Sequence, residues 1–221
     1  MRTLIQQNPE LLRLIARFHG TPSQLVHRDR WPVEISDEVR NLVQSSVAGQ
    51  RRLTNWMTSE WQIDPDFQWS FEKARHRLAL LASEQLESLI IHCGAATHAA
   101  AITRNIDRST QIRYKEVLGE NAFNFAIKRA AFVTRGLPDS LTSVQPQQDE
   151  IKTSVRNCGL NCIAICLHDV PVELMHRVTL MLPPSKKMSL ENSATDVESV
   201  WPFVRRLLLT EVAQELNSCF N

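Results

Sequence analysis

SEQLESLIIHCGAATHAAAITR, Ser83–Arg104, is the stretch on which the fold turns. Ser83 can cap a helix, and Leu86, Leu89 and Ile90 then fall on one side at helical spacing. After Gly94, the run Ala95–Ile102 is rich in alanine, the strongest helix former, whose short side chain lets helices approach closely. Leu89–Ile102 is the most apolar run in the chain, but His92 and His98 interrupt it. It falls short of the roughly 18 consecutive apolar residues that span a bilayer. The stretch therefore reads as helix buried in a protein core, and no other segment qualifies as a membrane span.

The same signals repeat on either side. Asn8 can cap a helix that starts at Pro9, carries Leu11, Leu12, Ile15 and Phe18 on its apolar face, and ends at Gly20 in a left-handed turn. Arg28–Pro32 reads as a linker. Ser36 can cap a helix with Asp37 and Glu38 in its first turn and Val39, Leu42, Val43 and Val47 as a buried stripe. A further helix from about Gln50 to Glu60 turns Leu53, Trp56 and Met57 inward, and Asp64-Pro65-Asp66 has the composition of a turn. Arg75–Ala82 is ambiguous between an extended piece and a helix start.

Downstream, Ser109 can cap a helix bearing Ile112, Val117 and Leu118 that ends at Gly119. Asn121 can cap the next, with Phe123, Phe125, Ala126, Ala130 and Phe132, stopped by Gly136 and Pro138. Leu137–Asp149 is the best candidate for a long surface loop. Helices follow over about Glu150–Leu167 and from Pro171 to Leu182, and then a second polar loop over 183–194. The last helix opens on a capping box, Thr195 with Glu198. Pro202 should interrupt or restart it, and Val204, Leu207, Leu208, Val212 and Leu216 form an amphipathic stripe. The expectation is an all-α chain, one compact domain over residues 1–221 of roughly eight to ten helices, with an N-terminal lobe over 1–66 as a possible subdivision.

Composition limits the function. The 221 residues are 43% hydrophobic and 22% charged, with only 6 glycines and 10 prolines, too few tight-turn formers for a sandwich or barrel of this size. Lys and Arg number 25 against 24 Asp and Glu, so the basic excess of a non-specific nucleic-acid binder is missing. Arg104, Arg108, Arg113 and Lys115 are the densest basic group, but acidic residues are interspersed. The cysteines number 5, an odd count, and the N-terminus lacks a signal-peptide pattern, so the thiols are expected to be reduced in the cytoplasm.

Residue patterns that could carry chemistry are weak. Cys158, Cys162 and Cys166 recur every fourth residue, which places three thiols on one helix face, but zinc pairs usually leave two residues between ligands. Cysteine also packs as a small apolar residue. His92, Cys93 and His98 form no HExxH or HxH pattern and read as hydrogen-bonded imidazoles between helices. Asp64 and Asp66 read as turn chemistry, since aspartate bonds to its own backbone at such corners. Phosphate-loop, dinucleotide and nucleophile-elbow signatures are all missing. No enzyme, cofactor or metal reading is supported, which leaves surfaces as the working parts.

Three stretches then carry a family resemblance: LTNWMTSEWQIDPDF at Leu53–Phe67, LESLIIHCGAATHAAAITR at Leu86–Arg104, and a C-terminal part. That part comprises Gly159-Leu160, PVELMHRVTLMLP at Pro171–Pro183 and WPFVRRLLLTEVAQELNSCF at Trp201–Phe220. In order and spacing they resemble SctK, an accessory protein of bacterial type III secretion systems (the YscK/PscK group, with OrgA and MxiK as distant relatives). The resemblance covers most of the chain and is poor over the first fifty residues and over Leu137–Asp149. It implies a non-enzymatic adaptor of the cytoplasmic sorting platform, peripheral to the inner membrane through its partners. The adaptor would link an SctD-like membrane-ring protein to an SctQ-like pod protein, and through the pod to an SctL-like stator and an SctN-like ATPase. A monomer in isolation is expected, with no nucleic acid bound. Trp61, Trp201, Arg205 and Arg206 are the expected interface residues, because tryptophan and arginine dominate binding hot spots. The competing reading is a helical DNA-binding transcriptional regulator.

Overall fold

The computed structural model describes residues 8–32, 34–64, 66–104, 107–142, 150–184 and 197–221. Among them there are helices and turns and no strand. In chain order the α-helices are α1 (Pro9–Gly20), α2 (Asp37–Gln44), α3 (Val47–Glu60), α4 (Ser83–Thr97), α5 (Ala99–Arg104), α6 (Arg108–Lys128), α7 (Ala130–Val133), α8 (Asp139–Thr142), α9 (Ile151–Cys166), α10 (Val172–Leu180) and α11 (Val197–Leu207). The all-α expectation holds. The chain divides into two compact units. One comprises Met1–Leu86, Asp169–Lys187 and Leu216–Asn221; the other comprises Glu87–His168 and Met188–Glu215.

In the first unit α1 begins as its sequence dictates. Asn8 Oδ1 accepts a hydrogen bond from Leu11 N at 3.0 Å, and Pro9 takes the first helical position, where its missing N–H costs nothing. Leu11, Leu14, Ile15 and Phe18 are buried, whereas Leu12 is 48% exposed, so Leu14 holds the place expected of Leu12. Gly20 is the last helical residue and its φ is not positive; the cap is Thr21, so the left-handed ending does not occur. The ambiguous stretch is a 3-10 turn, Ala74–Leu80, with His76–Leu80 buried. It is held by Arg77, 2% exposed, which donates from Nε to Phe71 O at 2.9 Å, from Nη1 to Cys219 O at 2.6 Å and from Nη2 to Glu72 O at 3.1 Å. Nη1 also reaches Asn221 O at 3.5 Å, so four backbone carbonyls solvate a buried guanidinium.

The start of α4 differs from expectation in one detail. Ala82 holds the cap position: its carbonyl accepts from Leu86 N at 2.9 Å, and Gln85 Oε1 accepts from Ala82 N at 3.0 Å. The Ser83 hydroxyl instead donates to Met181 O at 2.9 Å.

The second unit is organised by a close crossing of two helices. A Cβ placed on Gly94 of α4 would stand 1.9 Å from Val155 O of α9, and one placed on Gly159 of α9 would stand 1.9 Å from Ile90 O of α4. Each glycine makes room for the other helix's backbone, which side chains elsewhere keep apart. Cys93, Ala95, Cys162 and Ile163 are fully buried in these same helices. α6 bends at Gly119, whose φ of 76° is left-handed, and Gly136 at 91° ends the turn after α7, both at expected breaks.

The cap of α6 is Asp107 rather than Ser109. Its carboxylate accepts from Thr110 N and Thr110 Oγ1, each at 2.9 Å, and from the Ser109 hydroxyl. Those bonds, the Ser109 hydroxyl first, hold its pKa down to about 2. Because the folded value is depressed, the cap's contribution is complete above the unfolded carboxyl pKa of about 4 and is lost as pH falls toward 2. NMR titration of the Asp107 carboxyl carbon is expected to give a midpoint near 2, rising in Ser109→Ala; a midpoint in the ordinary carboxylate range would contradict this geometry.

Further departures are instructive. The first part of the proposed long loop forms α8 and buries Leu141; residues 143–149 lie outside the described residues. So do 185–194 of the second loop and Thr195 of the expected capping box. α11 runs through Pro202 without a break, its ring exposed while Val200, Phe203, Val204 and Leu207 are buried. Packing of α11 on α9 outweighs the lost backbone donor. The periodic stripe beyond it is cut by a π-turn, Leu208–Val212, closed by Ala213 N donating to Leu208 O at 2.7 Å, and then by a 3-10 turn, Gln214–Cys219.

Candidate functional site

In the first unit, three indoles pack together. Trp31 stacks on Trp56 at 6.1 Å between centroids, and Trp61 meets Trp31 edge-on at 5.8 Å and Trp56 at 5.1 Å. Val26, Met57, Ile63 and Leu180 complete this cluster. α2 is seated over it by polar side chains. The Arg40 guanidinium lies 5.9 Å above the Trp31 ring and bonds Asp37 at 2.6 Å, and Gln44 Nε2 donates to Ser23 O at 3.1 Å. The Ser36 hydroxyl caps the helix by accepting from Val39 N at 3.3 Å.

The consequence reverses an expectation. No residue of α2 is buried; Val39 is 51% exposed, Leu42 72%, and Val47 at the start of α3 82%. Of the stripe read as buried, Val39, Leu42 and Val47 face solvent and Val43 is half-buried, because Arg40 and Gln44 occupy the inward side and the tryptophan cluster closes without it. α2 and α3 are joined by a tight turn in which a Cβ on Gly49 would come within 2.1 Å of Val43 O. These exposed residues escaped identification as surface features because an amphipathic pattern reports a face that favours burial and not what buries it.

The second unit exposes Ile112, Ile127 and Phe132, the last at 64%. The Arg135 guanidinium covers the Phe132 ring at 5.7 Å. A cavity of about 310 Å³ is lined by Ala96, Ala99, Ala126 and Ala131 with Thr134 and Arg104. Its walls are methyl groups and hydroxyls with a single charged side chain, so it offers no acid–base pair. The four expected interface residues divide between the units. Trp61 ends α3 half-buried within the tryptophan cluster, whereas Trp201 and Arg205 are half-buried and Arg206 exposed on α11.

The groups most able to do chemistry are committed to structure. Burial pushes the Cys93 thiol well up, and its hydrogen bond with Cys162 and the nearby Cys166 add to the effect. Burial likewise raises Cys158. Protonated thiols are poor nucleophiles and poor metal ligands. All five cysteines are free, and among the described residues no group of three or more His, Cys, Asp or Glu is placed to hold a metal ion. His98, fully buried, directs Nδ1 at Gly94 O at 2.9 Å and Nε2 at Ser154 Oγ at 3.0 Å, and burial lowers its pKa, so it is a neutral link between α4 and α9. The acidic turn is an Asx turn, with Asp64 Oδ1 accepting from Asp66 N at 2.9 Å.

Two clusters could not be seen in the sequence because their members are far apart. Arg177 donates to Phe18 O at 3.2 Å and Asp64 O at 2.6 Å, with its guanidinium 4.8 Å over Phe18 and 5.4 Å over Phe67. It thereby ties the acidic turn to α1. Asp169 accepts from Lys73 at 2.7 Å, from both Arg75 terminal nitrogens at 2.7 and 2.6 Å, and from His76 Nε2 at 2.8 Å. Burial alone would raise the Asp169 pKa, but the bonds from Arg75, Lys73 and His76 together hold it well below the carboxylate range. Burial lowers His76 despite the Asp169 contact.

No helix among the described residues is long and apolar enough to cross a membrane. No curated protein and no solved structure matches the chain. Residues 16–221 match the family described as YOP proteins translocation protein K (YscK), a span that takes in the tryptophan cluster, the Asx turn with Arg177, and the Gly94–Gly159 crossing. Matched over all but its N-terminal end, this chain belongs to the YscK family of type III secretion proteins, the group also called SctK.

Proposed function

We propose that this protein is a non-enzymatic adaptor of the cytoplasmic sorting platform, linking an SctD-like inner-membrane ring protein to an SctQ-like pod protein. Membership of the YscK family makes it a type III secretion protein. The observation that carries the adaptor role is that each compact unit has its own exposed apolar residues: Val39, Leu42 and Val47 in one, Ile127 and Phe132 in the other. An adaptor needs two surfaces, and neither set is used by its own unit's core. On α11, Trp201 and Arg206 offer the aromatic and guanidinium groups that anchor hot spots. A platform that exchanges its pods would require interfaces of the transient class.

The test is co-purification of the full chain with the SctQ-like protein and with the cytoplasmic domain of the SctD-like protein. The wild-type chain is expected to retain both. Trp201→Ala with Arg206→Glu is expected to weaken one of them about tenfold or more and to spare the other. Retention of neither partner by the wild-type chain would remove the adaptor reading. A low-salt gel shift with duplex DNA would point instead to the regulator.

A further inference from the structure

The face formed by α2 and the start of α3 has a chemistry that specifies its occupant. Val39 and Leu42 stand three residues apart and are neighbours on the helix surface. Each helix adds a charged border of opposite sign. Glu38 lies one turn before Leu42, with Glu34 also exposed nearby, and Arg51 lies one turn after Val47, with Arg52 beside it. Arg51 and Arg52 are exposed and form no ion pair among the described residues. The face is also rigid in advance. Arg40 on Trp31, Gln44 on Ser23, the Ser36 cap and the Gly49 turn hold α2 without help from its apolar side.

We propose that this face docks an amphipathic helix of a protein partner. The helix would present an apolar side to Val39, Leu42 and Val47, acidic residues to Arg51 and Arg52, and basic residues to Glu38. Apolar anchors at helical spacing, bordered by complementary charge, are the recognition mode of a helix laid on a groove or face. A second copy of this chain fits less well. A stable dimer buries upward of about 1,000 Å² in total, and three aliphatic residues on a short hairpin supply much less. This inference rests on the adaptor reading and names the chemistry of one of its two interfaces.

The test uses the full-length chain with Leu42→Glu and, separately, Arg51→Glu/Arg52→Glu. The probes are the purified SctQ-like protein, the cytoplasmic domain of the SctD-like protein, and phosphatidylglycerol vesicles. All substituted residues are exposed, so melting temperatures are expected to stay at the wild-type value. Leu42→Glu is expected to weaken binding to one of the two proteins at least tenfold and leave the other unchanged. Arg51→Glu/Arg52→Glu should weaken the same one and flatten its salt dependence. If the wild-type chain binds both proteins and Leu42→Glu binds both equally well, this inference fails while the adaptor reading stands. If the wild-type chain binds neither, both fail. Self-association, or vesicle binding, that Leu42→Glu abolishes would assign the face to a second copy or to lipid and overturn the proposal.

Discussion

Gly94→Leu is expected to cost about 3 kcal/mol or more of stability, enough to leave much of a marginally stable domain unfolded. The side chain would have to enter space already held by the Val155 carbonyl, 1.9 Å from where its Cβ must sit. Backbone cannot step aside as a flexible side chain can, so α4 and α9 would have to separate and the thiols, Ala95 and Ile163 between them would lose contact. Gly159→Leu should behave alike, because a Cβ there meets Ile90 O at the same 1.9 Å. Gly20→Ala is the matched control: nothing lies within 4 Å of its Cβ position and its φ is ordinary. It should stabilise by about 0.5 kcal/mol through the unfolded state. Urea denaturation followed by far-UV circular dichroism distinguishes the three. A Gly94→Leu midpoint equal to wild type would mean that the crossing is looser than described.

Arg77→Met should be the other severe change. Methionine fills a similar volume but withdraws the donors from Phe71 O, Glu72 O and Cys219 O in a buried setting. Charge-assisted bonds contribute about 1.5–3 kcal/mol each and are not additive, so a net loss of about 3–5 kcal/mol is expected. Arg77→Lys should fall between, since an ammonium keeps the charge but lacks the planar fork that reaches these carbonyls together. Thermal melting gives the size of the loss. Hydrogen exchange gives its place: the backbone around Cys219 should lose protection in Arg77→Met before α1 does. Uniform loss, or none, would show that Arg77 does not hold that segment.

Much of this architecture was legible in the sequence wherever the deciding interaction is local. The Asn8 and Ser36 caps, the breaks at Gly119 and Gly136 and the Asx turn at Asp64 all depend on atoms a few residues apart. Errors arose where neighbours compete or where distant parts decide. Asp107 outcompetes Ser109 because a carboxylate is the stronger acceptor and also collects the Ser109 hydroxyl. Leu12 yields to Leu14 because both fit a helical period and only tertiary packing chooses between them. The buried arginines draw acceptors from as far away as Cys219 and Asp64, which no spacing rule reaches. The α2 stripe was the most informative error. Its periodicity marks an apolar face correctly, but Arg40 and Gln44, rather than that face, seat the helix on its own unit. Of the expected interface residues, Trp61 shares its ring with two other indoles. The aliphatic residues of α2 carried no mark, in sequence, to set them apart from core.

The first unit is threaded from three separated stretches, Met1–Leu86, Asp169–Lys187 and Leu216–Asn221. During synthesis, residues 87–168 emerge as one continuous run and can begin to collapse, while the earlier segment still lacks the strand of chain that gives Arg77 its Cys219 acceptor. A nascent polypeptide on the ribosome therefore carries a charged arginine waiting for residues not yet translated. The Arg77–Cys219 contact cannot form until residue 219 has been made, and the guanidinium acts as a latch closed by a segment translated long after it.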